Sequence, residues 1–246
     1  MAARLTTAPW LAGDPEWEAV KSTTRILSVS EAVDECEYLS DFHRDPANMP
    51  TKISLDRILQ VLQKKRIPFV LTGAHGFSVW TGRPRATRDV DLLLKHGRHY
   101  IRAVTAIKEL FPNLEARRFG TVTAFFVRGE THSVIDISYP ARPDNDVTLQ
   151  TAIWSKKRSL RYRIPDLEPA LANKYGAMLA LGREPGKRAQ DMIDFFWMVK
   201  HSLTSKRKIH LKRLAALGEM VWPGGGGREI LRLVEEAKAG KVPVLD

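Results

Sequence analysis

The chain contains one cysteine, Cys36. No intrachain disulfide can form, which excludes a disulfide-stapled secreted scaffold and favours a reducing compartment. Long apolar runs are also missing. Pro9, Gly13, Asp14 and Pro15 interrupt the N-terminal stretch before it reaches signal-peptide length, and no later stretch approaches the roughly 20 apolar residues of a membrane span. The expected location is therefore cytoplasmic, with no membrane partner. No internal repeat is present. Acidic residues are in deficit: 28 Asp and Glu stand against 39 Lys and Arg, giving a net charge of +11. That balance favours an anionic partner such as RNA, DNA or a nucleotide polyphosphate, and disfavours a polycationic substrate.

At 246 residues, 43% hydrophobic and 27% charged, the composition is that of a soluble globular protein with a main domain and one smaller region. Charge is unevenly distributed. Residues 1–50 carry −5, residues 51–150 carry +7 and residues 151–246 carry +9. The first segment is read as an acidic N-terminal extension, either a solvated linker or a cover that folds back over the basic face and limits acceptor access.

Apolar residues at helical spacing between Thr51 and Arg66, with Ser54 as N-cap, predict a helix that Pro68 ends. Phe69 to Thr72 reads as a short strand ending in Gly73-Ala74-His75-Gly76, a strand-to-helix turn of small residues. After Gly82 and Pro84, TRDVDLLL reads as a second strand. Arg98 to Leu110 is an amphipathic helix, and the runs LEARRF, TVTAFFV and HSVIDISY are β-like and joined as a meander. One further strand is expected at SLRYRI. From Asp166 onward the pattern is helical: Leu167 to Leu181, Lys187 to His201, Lys206 to Leu217 and Glu229 to Ala239, with WPGGGG between the last two read as a flexible joint. The predicted organisation is an α/β core over residues 51–164 and a helical region over residues 165–246.

Asp89 and Asp91 lie two apart on a strand and so project from one face. Either alone would read as an edge residue facing water. Two carboxylates together raise each other's pKa unless a cation neutralises them. Asp136 is a third candidate, set inside the apolar run Val134, Ile135, Ile137, where a charge has no packing reason to be. Three carboxylates with open positions suit Mg2+, which takes oxygen ligands and shares them with phosphates. The Gly73 to Gly76 turn supplies free N–H groups at a helix start, where a polyphosphate can bind. Lys174 lies on the apolar stripe of its helix and needs an anion, either a nucleotide phosphate or Asp191 on the next helix. GREPGKR, residues 182–188, lacks the strand-loop-helix context of a phosphate loop. His96 and His99 are too few for a zinc site, and His75 reads as a packed or turn residue.

The stretch LTGAHGFSVWTGRPRATRDVDLLL resembles the signature of the DNA polymerase β-like nucleotidyltransferase superfamily, in which a glycine-led turn precedes an R-x-T-x-D-x-D strand. Here that motif is Arg85, Thr87, Asp89 and Asp91, with Asp136 matching the third carboxylate. The branch it is most similar to contains the AbiEii and MenT toxins. LANKYGAMLALGREPGKRAQDMIDFF is similar to that branch's helical lysine, basic turn and aspartate helix, and the likeness spans residues 68–199.

The resemblance implies an α+β fold: a nucleotidyltransferase-type mixed β-sheet with flanking helices, followed by a C-terminal helical region. It also implies Mg2+ or Mn2+ held by Asp89, Asp91 and Asp136, an NTP substrate, and in-line attack of a hydroxyl on the α-phosphate. Thr72, Gly73, Ala74, Arg85, Lys174 and Arg188 would contact the nucleotide, with Arg183 a further candidate. Asp191 would be a structural or active-site partner of Lys174, and Asp194 structural. Ala74 replaces the second glycine of the family's usual pair, a mild departure. RNA, in particular a tRNA 3′ end, is the favoured acceptor, in keeping with the basic C-terminal region. Transfer to a protein side chain, or nucleotide or RNA binding without turnover, are the other readings; retention of all three carboxylates argues against the last. An antitoxin is an implied partner.

Overall fold

The computed structural model describes residues 53–83, 87, 89–157, 160–242 and 245. The acidic N-terminal extension, Cys36 and Arg85 lie outside the described residues. Helix α1 (Leu55–Lys64) forms where expected, burying Leu55, Ile58, Leu59 and Leu62, and the Ser54 side chain accepts from the Arg57 N–H at its start. Strand β1 (Val70–Leu71) leads directly into α2 (Gly73–Thr81), and β2 (Val90–Leu93) and α3 (Arg98–Leu110) follow. Next comes the meander β3 (Leu114–Phe119), β4 (Val122–Val127) and β5 (Ser133–Ser138). Helix α4 (Pro143–Thr151) precedes a hairpin of β6 (Ile153–Lys157) and β7 (Leu160–Ile164). The remainder is helical: α5 (Leu167–Leu179), α6 (Pro185–Thr204), α7 (Leu211–Val221) and α8 (Gly226–Lys238).

The five-stranded sheet has the order β1-β2-β5-β4-β3. Strands β2 and β5 are parallel and the other neighbours are antiparallel, so the sheet is mixed, as expected. Helices α1 and α3 cover one face, where Ile58, Leu62 and Ile107 join Val90, Leu92, Ile135 and Ile137 in one core. Because side chains alternate along a strand, Asp91 and Asp136 must face the opposite side. A second core gathers Phe77 and Trp80 of α2 with Leu171, Tyr175, Phe195, Leu214 and Leu233 of α5 to α8. Helix α2 is thus clamped between sheet and helical region. No helix among the described residues is long and apolar enough to cross a membrane.

Several expectations change. Helix α4 and strand β6 were not visible in the sequence pattern. Pro143, whose fixed φ suits the first helical position, and the helix dipole acting on Asp144 and Asp146 in the first turn favour α4, without an apolar stripe. Helix α5 stops at Leu179, which leaves Leu181 97% exposed and off the apolar stripe. Helix α7 starts at Leu211, not Lys206, because the chain before it is tied back by ion pairs from Arg207 to Asp166 and Glu168. The glycine run is more than a joint. Gly226 and Gly227 are buried in the first turn of α8, and a Cβ at Gly226 would lie 2.2 Å from the Gly218 carbonyl oxygen. Glycine there lets α7 and α8 touch backbone to backbone.

Candidate active site

Asp91 of β2 stands directly opposite Asp136 of β5 in the parallel register, and Asp89 precedes Asp91 by two residues on the same face. Ligand oxygens of the three carboxylates lie within 4.8 Å of one another. Among the described residues this is the one group of three or more His, Cys, Asp or Glu side chains so placed. The Thr87 hydroxyl donates to Asp89 Oδ1 and so fixes that carboxylate.

Electrostatics in the cluster are strained. Burial, then the charges of Asp89 and Asp136, push the Asp91 carboxyl well above the usual carboxylate range, against the pull of Lys174 and Arg183. Burial also pushes the Asp136 carboxyl up to about 6, with Asp89 adding to the shift and a Ser133 hydrogen bond and Lys187 opposing it. Asp136 Oδ1 is buried with no hydrogen-bond partner. A buried carboxylate oxygen without a donor is costly, and a cation is the group that relieves it. The donor set is all oxygen, without nitrogen or sulfur, which fits a hard divalent ion such as Mg2+ or Mn2+.

Gly73 is required by the cluster. It adopts φ +60°, and a Cβ built on it would fall 1.7 Å from Asp91 Oδ2. The Asp91 carboxylate therefore lies against the first residue of α2, while the Thr72 N–H donates to the Asp91 carbonyl at 2.9 Å. Thr72 occupies the N-cap position without capping through its hydroxyl. The start of α2 and the carboxylates share a cleft of about 300 Å3 that Thr72, Gly73, Ala74 and Phe77 line on one side.

On the other side the cleft is lined by Asn173 and Lys174 of α5, Arg183 of the following turn, and Lys187, Gln190 and Asp191 of α6. Lys174 is buried, donates to Asp191 at 2.9 Å and Asp194 at 2.6 Å, and sits over the Phe77 ring. Arg183 donates to the second Asp191 oxygen at 2.6 Å, and Gln190 to Asp194 at 2.8 Å. The two readings of Lys174 thus coexist: it is held by aspartates and it also faces the cleft. Asp194 shares in that hold, consistent with its structural reading. His75 is buried within α2 and does not line the cleft.

Arg188 is not brought to the cleft. Its guanidinium donates to the Ala180 carbonyl at the end of α5, and Lys187 lines the cleft instead. Glu184 explains the switch, since its carboxylate accepts from the Gly186 and Lys187 N–H groups and sets the first turn of α6. Lys187, Asn173, Gln190 and Phe77 were not singled out in the sequence. The adjacency of Asn173 to Lys174 and the basic GREPGKR segment were the available signals, and that segment does contribute Arg183 and Lys187 even though it is no phosphate loop.

Carboxylates paired across parallel strands, next to the glycine-led start of a helix and opposite a bank of lysine and arginine, define the protein's class as a nucleotidyltransferase. It belongs, more particularly, to the family described as nucleotidyl transferase AbiEii toxin, type IV toxin–antitoxin system, whose model matches residues 57–239. Among solved structures, the chain is similar to an antigenic nucleotidyltransferase-like protein from Paracoccidioides brasiliensis at 18% identity and a TM-score of 0.46, covering 86% of this chain and 95% of that one. The antibiotic-resistance factor ANT(2'')-Ia is similar at 13% identity and a TM-score of 0.46, covering 66% of this chain and 86% of that one. No curated protein matches the chain.

Proposed function

We propose that this enzyme is divalent-metal-dependent and moves a nucleoside monophosphate from an NTP to a hydroxyl of a macromolecular acceptor, with RNA and in particular a tRNA 3′ end favoured. The observation that carries the reading is Asp136, directly across from Asp91 and with a buried, unpartnered Oδ1. Asp89, Asp91 and Asp136 would hold Mg2+ or Mn2+, which when bound neutralises phosphate charge in the transition state. Thr72 and the first amides of α2, at Gly73 and Ala74, bind the β and γ phosphates, because a helix start offers N–H donors and positive dipole. Lys174, Arg183 and Lys187 stand across the cleft to match the remaining negative charge. Arg85 belongs to the same nucleotide-binding set by its motif position. Arg188 acts through the α5 end it caps.

Asp136, or a water molecule beside it, accepts the proton of the acceptor hydroxyl. The freed oxygen bonds to the α-phosphorus as the bond from that phosphorus to the bridging oxygen breaks, and pyrophosphate carries away the electron pair. The excess of cationic residues outside the cleft supports a polyanionic acceptor. Membership of a type IV toxin–antitoxin family supports cytoplasmic action with an antitoxin as protein partner.

Incubation with each α-labelled NTP, Mg2+ and total cell extract tests this. Label is expected in nuclease-sensitive RNA, and to be absent when Asp89→Ala replaces the wild type. Label that migrates with protein and resists nuclease would replace the RNA acceptor with a protein side chain. Nucleotide binding without pyrophosphate release would contradict turnover altogether.

A further inference from the structure

The β6–β7 hairpin exposes a cationic and aromatic face that the fold itself does not need. Trp154 is 63% exposed, with the Arg161 guanidinium 5.0 Å from its ring centre. Lys156 and Arg161, both exposed, are directly opposite each other across the two strands. Like charges in that position destabilise a strand pair. No acidic residue occurs between Ala152 and Pro165 to offset them. Arg163 is a different case, since it donates to the carbonyls of Leu149 and Ala152 and closes the end of α4.

A second local cost lies beside the first. Helix α1 ends with the Arg66 N–H donating to Gln63 and the Ile67 N–H to Leu62, the bonding of a Schellman cap. The residue in the left-handed position of that cap is Arg66, at φ 51°, where glycine is the unstrained choice. Arg66 and its neighbour Lys64 are exposed. The Gln63 side chain donates to the Arg161 carbonyl, which ties the end of α1 to the hairpin. Two sites where the chain accepts a cation at the expense of stability are therefore contiguous, and none of these residues lines the cleft.

Resting on the reading above that RNA is the acceptor, we propose that this surface is a docking site for the acceptor RNA outside the catalytic cleft. Lys64, Arg66, Lys156 and Arg161 contact backbone phosphates, and Trp154 stacks on an unpaired base. An acidic peptide would match the charge but would leave the exposed indole unused, whereas a single-stranded nucleic acid uses both features.

The test is binding of fluorescent bulk tRNA to the full chain across a salt titration, for wild type, Trp154→Ala and the Lys156→Gln/Arg161→Gln pair. Trp154→Ala is expected to weaken binding about tenfold. The pair is expected to reduce the slope of log K against log salt by about 1.4, the value for two lost single-strand phosphate contacts. Both are expected to raise KM for RNA with kcat and calorimetric Mg2+·NTP affinity unchanged, the signature of lost uniform binding. Relief of the like-charge pair leaves the melting temperature of the double variant equal to or above that of wild type. Unchanged tRNA binding and salt slope in a wild type that labels RNA would overturn the docking surface alone. Loss of NTP affinity and melting temperature together with RNA binding would overturn it too, by making these residues structural. A wild type that neither binds nor labels RNA would remove the acceptor reading and this surface with it. A polyglutamate peptide that binds wild type, while tRNA does not, would assign the surface to a protein partner.

Discussion

Asp91 and Asp136 face each other across β2 and β5 with their carboxyls held above the usual range, so the folded chain binds protons there that the unfolded chain releases. Between the unfolded carboxylate value of about 3.9 and the folded value of about 6 for Asp136, the native state carries more protons. By linkage, stability must fall as pH rises through that window. A divalent cation binds only the deprotonated cluster and should reverse the loss. Without divalent ions, the contribution of this cluster is expected to lower the melting temperature between about pH 4 and pH 6, the window set by these pKa values. Millimolar Mg2+ should restore it at pH 7 and do little at pH 5. Differential scanning fluorimetry with and without chelator reads both, and a melting temperature indifferent to Mg2+ at pH 7 would contradict a metal-holding role. At this scale the sequence was informative where a residue broke a local rule. Asp136 within Val134, Ile135 and Ile137 stood out for that reason. The demand on Gly73 was not visible, because it comes from the Asp91 carboxylate 18 residues along the chain.

At the scale of elements, α2 and the α7–α8 pair show two uses of glycine. In α2 it admits a carboxylate; in α8 it admits another backbone. A Cβ at Gly226 would meet the Gly218 carbonyl at 2.2 Å and one at Gly218 would meet the Gly226 carbonyl at 2.5 Å. Gly226→Ala is therefore expected to lower stability by about 1–3 kcal/mol, the range for overpacking a close contact. Gly182→Ala, with open space around it, should change stability by less than about 0.5 kcal/mol. Urea unfolding of both distinguishes them, and equal effects would show that the glycine run is only a linker. The run reads as flexible in sequence because composition carries no trace of which helix will approach. Elements with a strong apolar period, such as α1 and α3, were legible nearly to their ends. Helix α4 was not, since only its first-turn Pro143, Asp144 and Asp146 mark it, and β6 was hidden because Lys156 and Trp154 point to solvent while the inward alternates, half-buried Ile153 and buried Ser155, are too few to set a period. The exchange of Arg188 for Lys187 in the cleft follows from the Glu184 cap. A one-residue change in where a helix begins rotates the next side chains by about 100°, which spacing arguments do not resolve.

For the whole molecule, two cores meet along α2, and the cleft sits on that junction with carboxylates from the sheet on one wall and Lys174, Arg183 and Lys187 from the helical region on the other. These roles contribute to the net charge of +11: a negative centre built from few residues, a positive wall, and further cations at the α1 end and hairpin. This arrangement ties activity to the cluster and stability to the cores. The most direct measurement is pyrophosphate release from NTP in the presence of Mg2+ and cell RNA by Asp91→Asn beside wild type, with the melting temperature of each. Release is expected to fall by at least about 100-fold, the effect of losing several kcal/mol of transition-state charge stabilisation. Without divalent ions the melting temperature should hold or rise, because a buried like charge has been removed. Release within a few-fold of wild type would contradict a catalytic centre at Asp89, Asp91 and Asp136.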